Sequence, residues 1–223
     1  MNFLSHFYLH KTDNLFYNIG LTIPDVLSLH NRRFRVTETY LLQKKSIEKS
    51  DKINLLLDGM LIHLKVDNIF HNSNFFHNSH LLMSKLYFDY KINPEMPYYI
   101  FHILLEILID RFLLINRNPN LADEFYKEYK NFNFSEISDL FEDNNNYNKI
   151  EFIKLSNLIA NSSFLNDYIY NEMIIDALNK ISLKIGKPLN LNTKEILLLK
   201  YIAEISGVLE NSISLFVDNF TVD

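Results

Sequence analysis

The chain contains no cysteine, which excludes a disulfide framework and any thiolate metal site. Glycine and proline are scarce, at 4 and 5 residues in 223, which argues against a turn-dense all-β protein. No apolar run reaches the roughly 20 residues that cross a bilayer. The longest candidate is interrupted by His102, Glu106 and Asp110. The first residues, MNFLSHFYLHKTDN, lack a basic n-region, an apolar h-region and a small-residue cleavage site. An excess of basic charge is missing too: net charge is −5 and the pI about 5.9, unlike a duplex nucleic-acid binder. These absences give the expectation of a cytoplasmic protein with no membrane span and no nucleic-acid partner.

What is present is apolar and helical. Hydrophobic residues make up 48% of the chain, enough to build a sizeable core. The apolar period predicts helices over about 2–10, 13–19, 23–30, 37–48, 51–71, 74–90, 97–116, 120–131, 135–142, 148–160, 166–185 and 193–218. Asp51 is expected to cap the helix that leads to His63. Pro97 and Pro119 suit first-turn positions. Gly186 followed by Pro188 reads as a stop signal, and Asn192 with Glu195 resembles a capping box. The expected fold is all-α, a single multi-helix bundle over 1–223. A metal-site half would cover about 1–116, with further helices over about 117–223. The Asn-rich stretch EDNNNYN at 142–148 is the best loop.

Two helices carry metal-type side chains at helical spacing. In 51–71, His63, Asp67 and His71 fall at i, i+4 and i+8, one face of a helix. At about 100° per residue they lie opposite Asn54, Asp58, Lys65, Asn68 and Asn72, and so on the core side with Leu56, Gly59 and Met60. A carboxylate placed there must be paired or metal-bound. In 97–116, His102, Glu106 and Asp110 repeat the spacing on a helix that is otherwise apolar. The alternatives are hydrogen-bonded core residues for the first stripe and a water-facing strip for the second. Two such stripes facing each other would hold divalent ions. His6, within an amphipathic segment, and Asp25, after Pro24 at a helix start, join them by type. His10, His30, His77 and His80 form no pattern, and His77 with His80 suits a surface pair. Histidine and carboxylate donors without sulfur fit Mn, Zn, Fe or Mg. The number of donors suggests more than one ion, the usual equipment for phosphoester hydrolysis.

At these residues the chain resembles the acyl carrier protein phosphodiesterase family. MNFLSH at 1–6 is similar to that family's MNFLAH start. Gly20 to Asp25 is similar to its GN…ADF segment, and His63 to Asp67 (HLKVD) to the HxxxD core of its HRxID…FTD helix. The chain departs from the pattern at His71, where the family has aspartate, and at His102 and Glu106, which replace an Asp-His element. In those positions it looks like zinc-dependent phospholipase C-like proteins, whose order is His, Pro-Asp, HxxxD, His, HxxxE. Both resemblances cover about 1–115 and imply an HD-like or phospholipase C-like all-α metal fold that hydrolyses phosphodiesters.

The first resemblance implies removal of phosphopantetheine from acyl carrier protein, an acidic partner. His6, Asp25, His63, Asp67, His71, His102 and Glu106 would bind the ions, and Asp67 or Asp110 would relay a proton. Arg32, Arg33 and Arg35 would dock the carrier or clamp a phosphate, unless they are a solvated basic loop. A small phosphoester is the other substrate class implied. A phospholipase C-like hydrolase and a non-catalytic helical protein that holds an acidic partner stand as alternatives. The pattern leaves the oligomeric state open.

Overall fold

The computed structural model describes residues 2–92, 96–192 and 195–222. Met1 of the MNFLSH motif, and Thr193 and Lys194 at the start of the last expected helix, lie outside them. Among the described residues the chain is all α-helical, with short 3-10 turns and no strand. The helices are α1 (Phe3–His10), α2 (Leu15–Gly20), α3 (Ile23–His30), α4 (Glu38–Ile47), α5 (Asp51–His71) and α6 (Asn74–Asp89). They continue as α7 (Tyr98–Asn116), α8 (Leu121–Asn131), α9 (Lys149–Ala160), α10 (Asn171–Lys184) and α11 (Ile196–Asp218).

The contacts group the chain into two units, each assembled from two segments: Met1–Asn68 with Asn120–Ser163, and Ile69–Pro119 with Phe164–Asp223. This grouping runs across the expected halves, because residues 120–163 pack with the first 68. The reason lies in α8, whose apolar face (Leu121, Ala122, Phe125, Tyr126, Tyr129) is buried and takes up α1. Phe125 meets Phe3 and Phe7 of α1 at ring distances of 5.9 and 5.8 Å and stacks on Tyr129. α9 packs on α3 and α8. The backbones of α2 and α5 touch where Gly20 meets Leu56 and Gly59.

In the second unit α7 is the central element. Its apolar surface predicts burial on nearly every side, and Ile100, Leu104, Leu105, Ile107, Leu108 and Leu113 are all buried. α6, α10, α11 and the 3-10 turn Asn166–Ile169 surround it. Phe70, at the end of α5, packs against Phe76 and Phe216.

Several local expectations resolve differently. Ser50 precedes α5 and its hydroxyl accepts from the Ile53 amide, so Asp51 is a first-turn residue instead of the cap. Pro97 is the residue before α7, and Glu195, with its carboxylate on the Leu197 amide, is the cap of α11, its own amide bonded to the Asn192 carbonyl. Residues 135–142 form two 3-10 turns, because the Asn133 and Ser138 side chains bond nearby backbone groups and compete with the helix ladder. The expected helix 166–185 breaks at Tyr170, which is extended. The residues before it form the 3-10 turn Asn166–Ile169, closed by the Tyr170 amide on the Asp167 carbonyl. Gly186 does end α10: its φ is +72° and the Lys187 amide returns to the Ser182 carbonyl, a Schellman closure.

Candidate metal centres

Each unit gathers one group of histidine and carboxylate atoms. In the first, ligand atoms of His6, His63 and Asp67 lie within 4.8 Å of one another. His6 arrives on α1, fixed by the buried Phe3, Leu4 and Phe7 around it. His63 and Asp67 are one turn apart on α5. Asp25 enters from the first turn of α3, after a proline at the helix start, where a carboxylate also suits the helix dipole. The distances are 3.1 Å from His6 Nε2 to Asp67 Oδ1, 3.5 Å from His63 Nε2 to Asp67 Oδ2, and 3.7 Å from His63 Nε2 to Asp25 Oδ1. The two imidazoles stack at 3.8 Å. Both are buried, whereas the Asp25 and Asp67 side chains keep 27% and 26% exposure, so the group opens to solvent on its acidic side.

His63 is anchored from behind: its Nδ1–H donates to the Leu21 carbonyl at 2.7 Å, leaving Nε2 to face the carboxylates. His6 has no such anchor. Neither of its ring nitrogens makes an aligned hydrogen bond, although Nε2 is close to Asp67. Burial, reinforced by the neighbouring His63, pushes the His6 pKa down to about 3. Burial also works against charge on His63, but Asp25 and Asp67 outweigh it and push the pKa up. Burial opposes ionisation of Asp67, yet its carboxyl is held well below the usual value, with the His6 and His63 imidazoles beside it favouring the charged form.

In the second unit His71, the last residue of α5, meets His102 and Glu106 of α7. His71 Nε2 is 2.9 Å from His102 Nε2, and Glu106 Oε1 is 3.1 Å from His102 Nε2 and 3.6 Å from His71 Nε2. Phe76 of α6 stands edge-on to both rings, at 5.3 and 5.0 Å. Burial opposes ionisation of Glu106, yet its carboxyl lies well below its usual value, with His102 and His71 beside it favouring the charged form. The two rings are about one-third exposed.

Each three-residue group could hold a cation. Bonds of ~2 Å in a tetrahedral site place neighbouring ligand atoms about 3.3 Å apart. The close pairs are 2.9 to 3.7 Å apart, near that edge, and the ligand atoms of each three-residue group lie within 4.8 Å of one another.

The grouping differs from two facing stripes: His71 joins the α7 pair, and His63 with Asp67 joins His6 and Asp25. Asp110 is completely buried on α7, one turn beyond Glu106, and is outside both groups. Arg32, Arg33 and Arg35 are exposed in the loop after α3, held by the buried Phe34. Asp25 lies roughly 9 Å back along the α3 axis from that loop. His77 is exposed, but His80 is buried and donates to the Tyr98 carbonyl. The contributors that pattern reading missed are the Leu21 carbonyl and the glycines beside it. Their one signal was a glycine in mid-helix in a chain with only 4. No helix among the described residues is long and apolar enough to cross a membrane. No family model, no curated protein and no solved structure matches the chain.

Proposed function

We propose that this protein binds divalent metal ions through both groups and hydrolyses phosphoric esters. The observation that carries the reading is His6: a fully buried imidazole, both nitrogens without an aligned hydrogen bond, stacked on a second imidazole and 3.1 Å from a carboxylate. A buried polar group without an aligned hydrogen bond is disfavoured, and a cation between His6 Nε2 and the Asp67 carboxylate would satisfy both. His6, His63, Asp67 and Asp25 would hold one ion, and His71, His102 and Glu106 another. Imidazole and carboxylate donors suit Mn, Zn or Fe. Such an ion, when bound, lowers the pKa of a coordinated water and draws charge from a phosphoryl oxygen.

The chain's own groups then divide the work. His6 and His63 form the buried floor and exclude water from one side. Asp67 turns one oxygen to each imidazole, and its partial exposure lets it pass a proton toward solvent. Asp110, wholly buried, is the less suited of the two relay candidates. Phosphopantetheine on acyl carrier protein is the substrate proposed first, with Arg33 and Arg35 as surface charges toward an acidic carrier.

The test is turnover of bis-p-nitrophenyl phosphate and of holo acyl carrier protein, with Mn2+ or Zn2+ added. The expected result is metal-dependent release that His63→Ala/Asp67→Ala abolishes. A fully metal-loaded protein that hydrolyses neither substrate contradicts the hydrolase reading.

A further inference from the structure

The anchor on His63 depends on a helix contact that only glycine permits. Leu21, whose carbonyl accepts from His63 Nδ1–H at 2.7 Å, closes α2 directly after Gly20. A Cβ on Gly59 would lie 2.2 Å from the Tyr17 carbonyl oxygen and 3.0 Å from the Leu21 nitrogen. One on Gly20 would lie 2.2 Å from the Leu56 carbonyl oxygen and 3.1 Å from the Gly59 Cα. Every atom met is backbone, so no side chain can rotate out of the way. Carbon–oxygen contacts close to about 3.3 Å, so a methyl group at either position drives the backbones apart by roughly 1 Å. That shift takes the Leu21 carbonyl out of hydrogen-bond range of His63.

The bond matters because a neutral imidazole offers a lone pair from one nitrogen only when its proton sits on the other. Asp25 and Asp67 face Nε2 and favour a proton there. The Leu21 carbonyl favours the proton on Nδ1, which leaves the Nε2 lone pair directed at the group, and it fixes the ring plane as well. His6 has no equivalent anchor, so control of the proton position rests on His63.

We propose that Gly20 and Gly59 are positioning residues of the first metal centre: their contact sets the Leu21 carbonyl that holds the His63 proton on Nδ1 and presents Nε2 to a divalent cation. The proposal rests on the metal-binding reading above.

The test has two readouts. One is the position of the His63 ring proton in metal-free protein at mildly alkaline pH, from long-range 1H–15N NMR. The other is Mn2+ and Zn2+ affinity by titration calorimetry. Both are applied to the wild type, to Gly59→Ala and to Ile159→Ala, which destabilises the same unit from α9, outside the contact. The expected wild type carries the proton on Nδ1. In Gly59→Ala that proton exchanges onto Nε2 and affinity falls about 10- to 100-fold, while Ile159→Ala changes neither. A wild-type proton on Nε2, or a Gly59→Ala protein with wild-type proton position and affinity, overturns the proposal. Should Gly59→Ala fail to fold, the wild-type proton position decides. A wild type that binds no cation yet keeps the Nδ1 proton defeats the metal reading while upholding the hold on His63, so the two failures are told apart.

Discussion

At the residue scale the stacked pair His6 and His63 shapes the chemistry of the first centre. Rings 3.8 Å apart repel a second proton, and the surroundings separate them: His6 is pushed down to about 3 by burial and by His63, and His63 is pushed up by its carboxylates. The sign of the pH effect follows. An unfolded His6 binds its proton near 6.5 and the folded one near 3, so unfolding takes up a proton between those values. Its stabilising contribution is complete above 6.5 and is lost as the pH falls through the folded value. The lowered Asp67 acts in the same direction at lower pH, and the raised His63 opposes both, losing its contribution as the pH rises. Urea melts of metal-free protein are expected to show stability falling from pH 6.5 toward 3, with a shallower fall in His6→Gln. An identical slope in that variant contradicts the assignment. The HxxxD and HxxxE pairs were readable because spacing of four fixes a shared helix face. That His71 pairs with His102 was not, because one stripe on a helix does not say how far along it a partner stops. The Leu21 carbonyl was invisible to side-chain reading because every residue has one.

At the element scale most helices were legible because their apolar faces repeat at the helical period. The failures came where short polar side chains bind the backbone locally, as at 135–142, or where a 3-10 turn and an extended residue interrupt the ladder, as at Tyr170. α6 begins at a readable cap: the Ser73 hydroxyl accepts from the Phe76 amide at 3.0 Å. This cap sets the first turn of the helix that carries Phe76 against His71 and His102. Ser73→Ala is expected to lose about 1 kcal/mol of stability, measured by urea unfolding, and to weaken the second metal group without touching the first. No change in either quantity removes the cap from the account. Glycine within α5 is the opposite case. Alanine there improves helix propensity by roughly 1 kcal/mol, so Gly59 gives up that propensity for the close backbone contact it permits.

At the scale of the whole molecule, sequence reading found the all-α class and most of the helices, but not how the segments group. Periodicity tells which face of α8 is buried, not that α1 is the element that covers it. A cation held by either proposed group would add to the stability that the core supplies. A cation at a hundredfold excess over its Kd adds about 2.7 kcal/mol. Thermal melts are therefore expected to fall on treatment with EDTA and to recover on addition of Mn2+ or Zn2+. Melting that ignores both treatments contradicts metal binding by the folded state.

The most direct measurement is metal content by inductively coupled plasma mass spectrometry after saturation and desalting. It compares the wild type with His63→Ala/Asp67→Ala and His102→Ala/Glu106→Ala. The account predicts at least two equivalents of transition metal in the wild type, and each double variant losing the ion of its own group while keeping the other. A wild type that retains no metal, or double variants that retain all of it, contradicts the account.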